Sequence, residues 1–169
     1  MECPYCERRC QLAEGAFGFC RMYTVVEGQA RERFPHMWCA YGVTRVESIP
    51  FYHAYPGSRC LTIGTAGCTV DCRYCSNAYV AKEDPAKLQD ILLDLSPATL
   101  VRLAEKHGCH SIVFNVNEPT VSIPSLLELA AAARAADIPM VRYSASDADQ
   151  IDEELQVPAF ETFPDEEKS

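Results

Sequence analysis

The stretch Gly67-Cys68-Thr69-Val70-Asp71-Cys72-Arg73-Tyr74-Cys75 places three cysteines at C-x3-C-x2-C spacing within one short loop. Such a loop presents three thiolates to one inorganic centre and offers no fourth ligand. Three thiolates hold three irons of a [4Fe–4S] cube and leave the fourth iron open. A structural zinc site needs four closed ligands, and a disulfide in so short a loop would leave one thiol over. The spacing therefore favours an iron–sulfur cluster held by Cys68, Cys72 and Cys75.

The sequence around this loop resembles the signature of the radical S-adenosylmethionine (radical SAM) enzymes. Three segments carry the resemblance: residues 50–58 before the loop, Ser76-Asn77 directly after it, and Asn115-Val116-Asn117-Glu118-Pro119-Thr120 further on. Together they are similar to the branch related to the pyruvate formate-lyase activating enzyme, including members with a Cys-rich N-terminus. The resemblance covers residues 3–143 and then ends.

The resemblance implies cofactor-binding roles for three further residues, and it assigns no catalytic residue. Tyr74 stands where the family has an aromatic ring against the adenine of S-adenosylmethionine (SAM). Glu118, with Asn117 positioning it, stands in the loop that holds the methionine amino group. A carboxylate is physically needed there, because a buried ammonium must be paired or hydrogen-bonded. The alternatives are a tyrosine that only covers a hydrophobic cluster and a polar loop that Pro119 interrupts.

Four more cysteines open the chain, in the pattern Cys3-x2-Cys6-x3-Cys10-x9-Cys20. Thiols this close in sequence, bracketed by glycines, are typical of a small knuckle around a metal. The metal is either zinc or a second iron–sulfur cluster. The alternative is a set of reduced thiols in a mobile segment.

Composition and charge narrow the class of protein. The chain has 169 residues, of which 48% are hydrophobic, and no apolar run approaches the length of a membrane span. Ten cysteines and no recognisable secretory signal lead us to expect metal chemistry in the reducing cytoplasm. The net charge of −9 is concentrated in residues 147–169, which hold nine acids and one lysine. No basic stripe indicates a nucleic-acid partner.

Strand and helix patterns alternate through the middle of the chain. Strands are predicted at residues 60–65, 111–115 and 138–143, and helices at 84–95, 97–107 and 124–136. This order is typical of an α/β fold with a parallel sheet and right-handed crossovers. With the resemblance, it predicts a partial, about three-stranded, radical SAM-type parallel βα barrel at 51–146. A Cys-rich N-terminal region at 1–50 precedes it, and an acidic, disordered tail at 147–169 follows.

The function implied by the resemblance is reductive cleavage of SAM to a 5′-deoxyadenosyl radical that abstracts hydrogen from a substrate, with activation of a glycyl radical enzyme as one version. The implied cofactors are a [4Fe–4S] cluster and SAM. The implied partners are a flavodoxin- or ferredoxin-like electron donor and either a protein substrate or a subunit that completes the barrel.

The later strands of a complete barrel do not follow residue 143, so three hypotheses stay open. The chain is a truncated product with impaired activity, or its barrel is closed by a second subunit or copy. Otherwise it is a reduced iron–sulfur or metal-binding module that acts with a partner. The module hypothesis predicts metal at the four N-terminal cysteines and no affinity for SAM.

Overall fold

The computed structural model describes residues 1–49 and 55–142, without the side chains of Ala40, Tyr41 and Arg142. Residues 50–54 of the resemblance and the tail predicted at 147–169 lie outside the described residues. The strands are β1 (Tyr23–Val26), β2 (Gln29–Glu32), β3 (Met37–Trp38), β4 (Ala40–Arg45), β5 (Arg59–Gly64), β6 (Leu93–Asp94), β7 (Ser111–Phe114) and β8 (Met140–Arg142). The helices are α1 (Ala78–Ala81), α2 (Pro97–Lys106) and α3 (Ile123–Ala135), with 3₁₀ turns at Val46–Ser48, Pro85–Lys87 and Pro119–Ser122.

A four-stranded mixed sheet, in the order β4-β5-β7-β8, forms the centre of the molecule. Strands β5, β7 and β8 pair in parallel, and β4 pairs antiparallel with β5. All four residues of β7 are buried, as expected of a central strand covered on both faces. One face packs against α2 and α3 through residues such as Ile112, Leu100 and Leu126. The other is covered by Ile49 and Tyr55, which pack with Val113.

The predicted fold class, a partial parallel βα barrel, is wrong. The sheet is small and mixed, two antiparallel pairs (β1–β2 and β3–β6) accompany it, and no βα barrel is present among residues 1–49 and 55–142. In a barrel, the outer edge of the first parallel strand must stay free to pair around the closed sheet. Here β4 occupies that edge, because its residues pair with β5 along the full length of both strands.

The N-terminal region forms a second hydrophobic cluster with its own hairpin. Strands β1 and β2 pair antiparallel around a turn at Glu27-Gly28, and both turn residues have positive φ. The buried side chains include Leu12, Met22 and Tyr23, together with Ala66 and Val121 from the loops that follow β5 and β7. The cluster therefore rests directly on the edge of the central sheet where the predicted cofactor residues lie. Of the helices within the described ranges, none has both the length and the apolar character that crossing a membrane requires.

Candidate metal and cofactor site

Asn117 joins the cysteine loop after β5 to the loop after β7. Its Nδ2 donates to the carbonyl oxygens of Gly67 at 2.6 Å and Ala66 at 3.2 Å, and its Oδ1 accepts from the Thr65 N–H at 3.2 Å. The side chain is buried, so these three hydrogen bonds are shielded from water. The carboxyl ends of neighbouring parallel strands meet at one edge of a sheet, which is where α/β proteins bind ligands. Two motifs that are 50 residues apart are therefore held together at that edge.

Cys68 lies at the point where these two loops meet. Its Sγ accepts a hydrogen bond from the Val70 N–H at 3.5 Å. Burial raises the pKa of the Cys68 thiol, and the nearby Glu118 carboxylate and Cys72 thiol raise it further. Hydrogen bonds from the backbone of Val70 and Glu118 oppose these effects. Glu118 is buried, so the structure brings its carboxylate into the electrostatic environment of the first cysteine of the motif.

Residues 71–74 of the cysteine loop are exposed. Cys72 is exposed, Cys75 is partly exposed, and Tyr74 is 97% exposed, so its ring covers no hydrophobic cluster. The backbone turns tightly here, with the Cys75 N–H donating to the Cys72 carbonyl at 3.4 Å. Sequence reasoning missed Lys82, whose Nζ lies 2.5 Å from Asp71 Oδ1. Its pKa is raised chiefly by that hydrogen bond and also by the thiols of Cys75 and Cys72, so this cation lies beside the loop.

The thiols of the cysteine loop are the kind of ligand that an iron–sulfur cluster needs, although their sulfur atoms do not converge on one point in this structure. Cys68, Cys72 and Cys75 are all free, and thiolates are the ligands that such clusters use. Within the described ranges, no group of three or more His, Cys, Asp or Glu side chains is arranged to hold a metal ion.

The four N-terminal cysteines share one small folded knuckle, residues 1–20. Residues 1–12 fold back on themselves: Glu2 forms an antiparallel bridge with Gln11, and the Cys3 N–H donates to the Cys10 carbonyl at 2.8 Å. Cys3, Cys10 and Cys20 belong to one hydrophobic cluster. Burial raises the pKa of Cys20 to about 12, and the thiols of Cys6, Cys3 and Cys10 add to this rise. The Cys20 thiol therefore lies within electrostatic range of the other three.

The signals for the residues that sequence reasoning missed were weak. Tyr23 donates from its hydroxyl to the Thr120 carbonyl at 2.8 Å and accepts from the Ile123 N–H at 3.0 Å. It looked like an ordinary strand residue, and nothing in its local pattern predicts a contact across 97 residues. Arg8 lies between Cys6 and Cys10, and this position in the cysteine motif is the only sequence signal for its place near the candidate site.

Comparison with known proteins assigns the chain to no family. No protein-family model matches it. The chain is 25% identical over 134 residues to an uncharacterized protein of Methanocaldococcus jannaschii. The aligned region covers 79% of this chain and 40% of that protein, so the chain spans less than half the length of this relative.

Proposed function

We propose that this chain is an iron–sulfur protein of the radical SAM type, which cleaves SAM reductively so that a hydrogen atom can be abstracted from a substrate. One observation carries the proposal: the buried Asn117 side chain fastens the Cys68 loop to the Glu118 loop. A cofactor with a cationic amino group would need a carboxylate beside its metal centre. The proximity of Glu118 to Cys68 supports this arrangement.

The roles of the side chains follow from their positions. Cys68, Cys72 and Cys75 would hold the [4Fe–4S] cluster, which supplies, when bound, the electron that breaks the bond between sulfur and the 5′ carbon of SAM. Glu118 accepts hydrogen bonds from the SAM ammonium group, and Asn117 fixes the loop that carries Glu118. Tyr74 is free to stack on the adenine, a contact worth about 1–3 kcal/mol for a base on an aromatic ring.

The proposed partners and location follow from the same chemistry. The exposed position of Cys72 gives a flavodoxin- or ferredoxin-like electron donor access to the centre. The atom-abstraction substrate is either the glycyl loop of a partner enzyme or another molecule, and a further subunit would complete the site. All ten cysteines are free, which suits a reducing compartment such as the cytoplasm.

The test is anaerobic reconstitution of the full chain with iron and sulfide, followed by SAM and dithionite. We expect 5′-deoxyadenosine from the wild type and from Cys109→Ala, which alters a cysteine outside the loop, but none from Cys68→Ala. Glu118→Gln should raise the Kd for SAM about tenfold to a hundredfold, because a hydrogen bond to a charged group contributes about 1.5–3 kcal/mol. A loaded cluster that yields no more product than Cys68→Ala rejects the enzyme. Metal loading without SAM affinity would instead favour the metal-binding module.

A further inference from the structure

The knuckle of residues 1–20 carries four thiols, those of Cys3, Cys6, Cys10 and Cys20. The backbone brings Cys3 against Cys10, as the 2.8 Å hydrogen bond between them shows. Cys10 Sγ also accepts a hydrogen bond from the N–H of Phe19, the residue before Cys20, at 3.4 Å. Gly18 makes this approach possible, because a Cβ there would lie 3.1 Å from Cys10 Cβ and 3.3 Å from Cys10 Sγ. The chain is thus folded closely around the sulfur of Cys10.

The same knuckle lies directly against the Cys68 loop. A Cβ on Gly67 would lie 2.4 Å from the Cys20 carbonyl oxygen, so the backbones of the two cysteine segments are in contact. From the other side of the knuckle, Arg8 Nε donates to the Thr69 carbonyl at 2.5 Å. The guanidinium of Arg8 is itself held over the Phe19 ring, 3.8 Å from its centroid. The knuckle therefore contacts the residues on both sides of Cys68.

The loop that follows β7 is supported from the same direction. Tyr5, between Cys3 and Cys6, stacks on Tyr23 with ring centroids 4.3 Å apart. The Tyr23 hydroxyl then bonds to Thr120 and Ile123, which flank the end of the Glu118 loop. The knuckle is thus connected to both loops of the candidate site through a continuous series of contacts.

We propose that Cys3, Cys6, Cys10 and Cys20 bind one zinc ion as a closed tetrahedral set, and that this ion fixes the knuckle that supports the Cys68 and Glu118 loops. Four thiolates without an open position are the pattern of structural zinc, in contrast to the three thiols of the Cys68 loop. The four thiols lie near one another, but their sulfur atoms do not converge on one point in this structure. Their side chains must therefore turn inward when the ion binds. Zinc binding then contributes directly to the folding of this segment.

Zinc itself is the probe for the first half of the proposal. Titration of zinc into the metal-free full chain, in competition with a chromophoric chelator, should show one tight equivalent. The triple variant Cys68→Ala, Cys72→Ala, Cys75→Ala and the single variant Cys109→Ser should retain that equivalent. Cys10→Ser and Cys20→Ser should lose it. Retention of the tight equivalent in both serine variants would overturn the site, and loading by iron and sulfide in place of zinc would overturn its identity.

Hydrogen exchange tests the second half without SAM, iron or any activity. The Gly67 N–H donates to the Val80 carbonyl at 3.0 Å and the Ile123 N–H donates to Tyr23, so both amides report on the supported loops. Zinc should slow exchange in peptides that contain these amides by about fivefold or more, the lower range of coupling between sites. Peptides from α2 serve as the control and should not change. Protection confined to residues 1–22 would overturn the coupling.

A variant that leaves every thiol in place makes the test independent of misfolding at the ligands. Gly67→Ala pushes against the Cys20 carbonyl, so it should bind zinc with unchanged stoichiometry and lose the zinc-dependent protection of the Cys68 loop. Undiminished protection in Gly67→Ala would contradict the contact as the route. Because none of these readouts needs the proposed reaction, absence of 5′-deoxyadenosine would reject that reaction and leave the zinc site standing.

Discussion

Gly67 shows how one residue decides whether the two cysteine segments can meet. Its φ of +74° lies in the left-handed region, and its missing Cβ makes room for the Cys20 carbonyl. Gly28, in the turn between β1 and β2, has almost the same φ of +73° but has nothing within 4 Å of where a Cβ would lie. Alanine substitutions at Gly67 and Gly28 therefore separate the free-energy cost of a positive φ from the cost of steric crowding.

We predict that Gly67→Ala lowers the free energy of unfolding by about 2–5 kcal/mol, since alanine at positive φ costs about 1–2 kcal/mol and overpacking adds about 1–3 kcal/mol. Gly28→Ala should lower the free energy of unfolding only by the about 1–2 kcal/mol that a positive φ costs. Urea unfolding of both variants beside the wild type measures the difference. Equal losses would show that the Cys20 segment moves aside at no cost.

Glu32 is the residue whose ionisation bears most directly on stability. Its Oε2 accepts from the Ser125 N–H at 3.2 Å and from the Ser125 Oγ at 2.8 Å, and its Oε1 accepts from the Ser122 Oγ at 2.5 Å. Burial raises the pKa of Glu32 above its ordinary value of 4.5, against the effect of these hydrogen bonds and of the nearby His36. The Nε2 atom of His36 itself lies 3.1 Å from Glu128 Oε2 on α3.

A raised pKa means that the folded state binds the Glu32 proton more tightly than the unfolded state does. Stability from this group is therefore greatest below pH 4.5 and falls as the pH rises from 4.5 through the folded-state pKa. We predict that Glu32→Gln, which keeps the shape but cannot ionise, removes this fall. The measurement is the difference in unfolding free energy between wild type and variant from pH 4 to pH 8. His36 and Glu128 are unchanged in both proteins, and a difference independent of pH would contradict the prediction.

At the scale of the elements, sequence pattern predicted those segments that are buried by local neighbours. Strands β7 and β8 and helix α2 lie within the stretches predicted for them, and β5 and α3 each begin and end one residue before the predicted bounds. Short apolar runs and helical spacing were sufficient there, because the strands are buried along most of their length and each helix buries an apolar face. The Ser96 side chain accepts a hydrogen bond from the Thr99 N–H and so caps the start of α2. Because serine is a preferred residue at this position, the start of the helix could be predicted from the sequence.

The helix predicted at 84–95 failed for a reason that local pattern does not contain. Asp84 does accept from the Ala86 N–H, but the helical turn ends at Lys87. Leu93 and Asp94 instead form β6 and pair with Trp38 and Met37 of β3. The Trp38 indole N–H also donates to the Leu95 carbonyl at 3.0 Å, which draws this segment toward the N-terminal region. Pairing with β3, more than 50 residues away in the sequence, therefore outweighed the local helical pattern of this segment.

At the scale of the whole molecule, the site is assembled from segments that only the fold brings together. The sequence placed the cysteines and the Asn117-Glu118 pair as motifs, but not the contact between the N-terminal knuckle and the Cys68 loop. That contact rests on backbone approach at Gly67 and on the hydrogen bond from Arg8 to Thr69, and neither has a periodic signature. The hydrophobic cluster of the knuckle takes Ala66 from one loop and Val121 from the other. The N-terminal region and the central sheet therefore share buried surface.

Shared buried surface implies that the two regions unfold together, and Tyr23 is the residue that tests this. Tyr23→Phe leaves the Thr120 carbonyl and the Ile123 N–H without their partner in a buried setting. Each unsatisfied buried group costs about 1–3 kcal/mol, so we predict that the two together lower the free energy of unfolding by about 2–6 kcal/mol. Tyr79→Phe, at a position 65% exposed, should stay within about 0.5 kcal/mol of wild type.

The decisive measurement is thermal unfolding followed by two probes in the same sample. Trp38 fluorescence reports on the region around β3, which packs in the main cluster, and exchange of the Cys3 and Leu12 amides reports on the knuckle. Tyr23→Phe should lower both midpoints by the same amount, because a shared core makes unfolding a single cooperative step. If the knuckle melted earlier while the Trp38 transition stayed in place, the two regions would be independent units. That result would contradict the proposal that zinc in the knuckle stabilises the Cys68 loop.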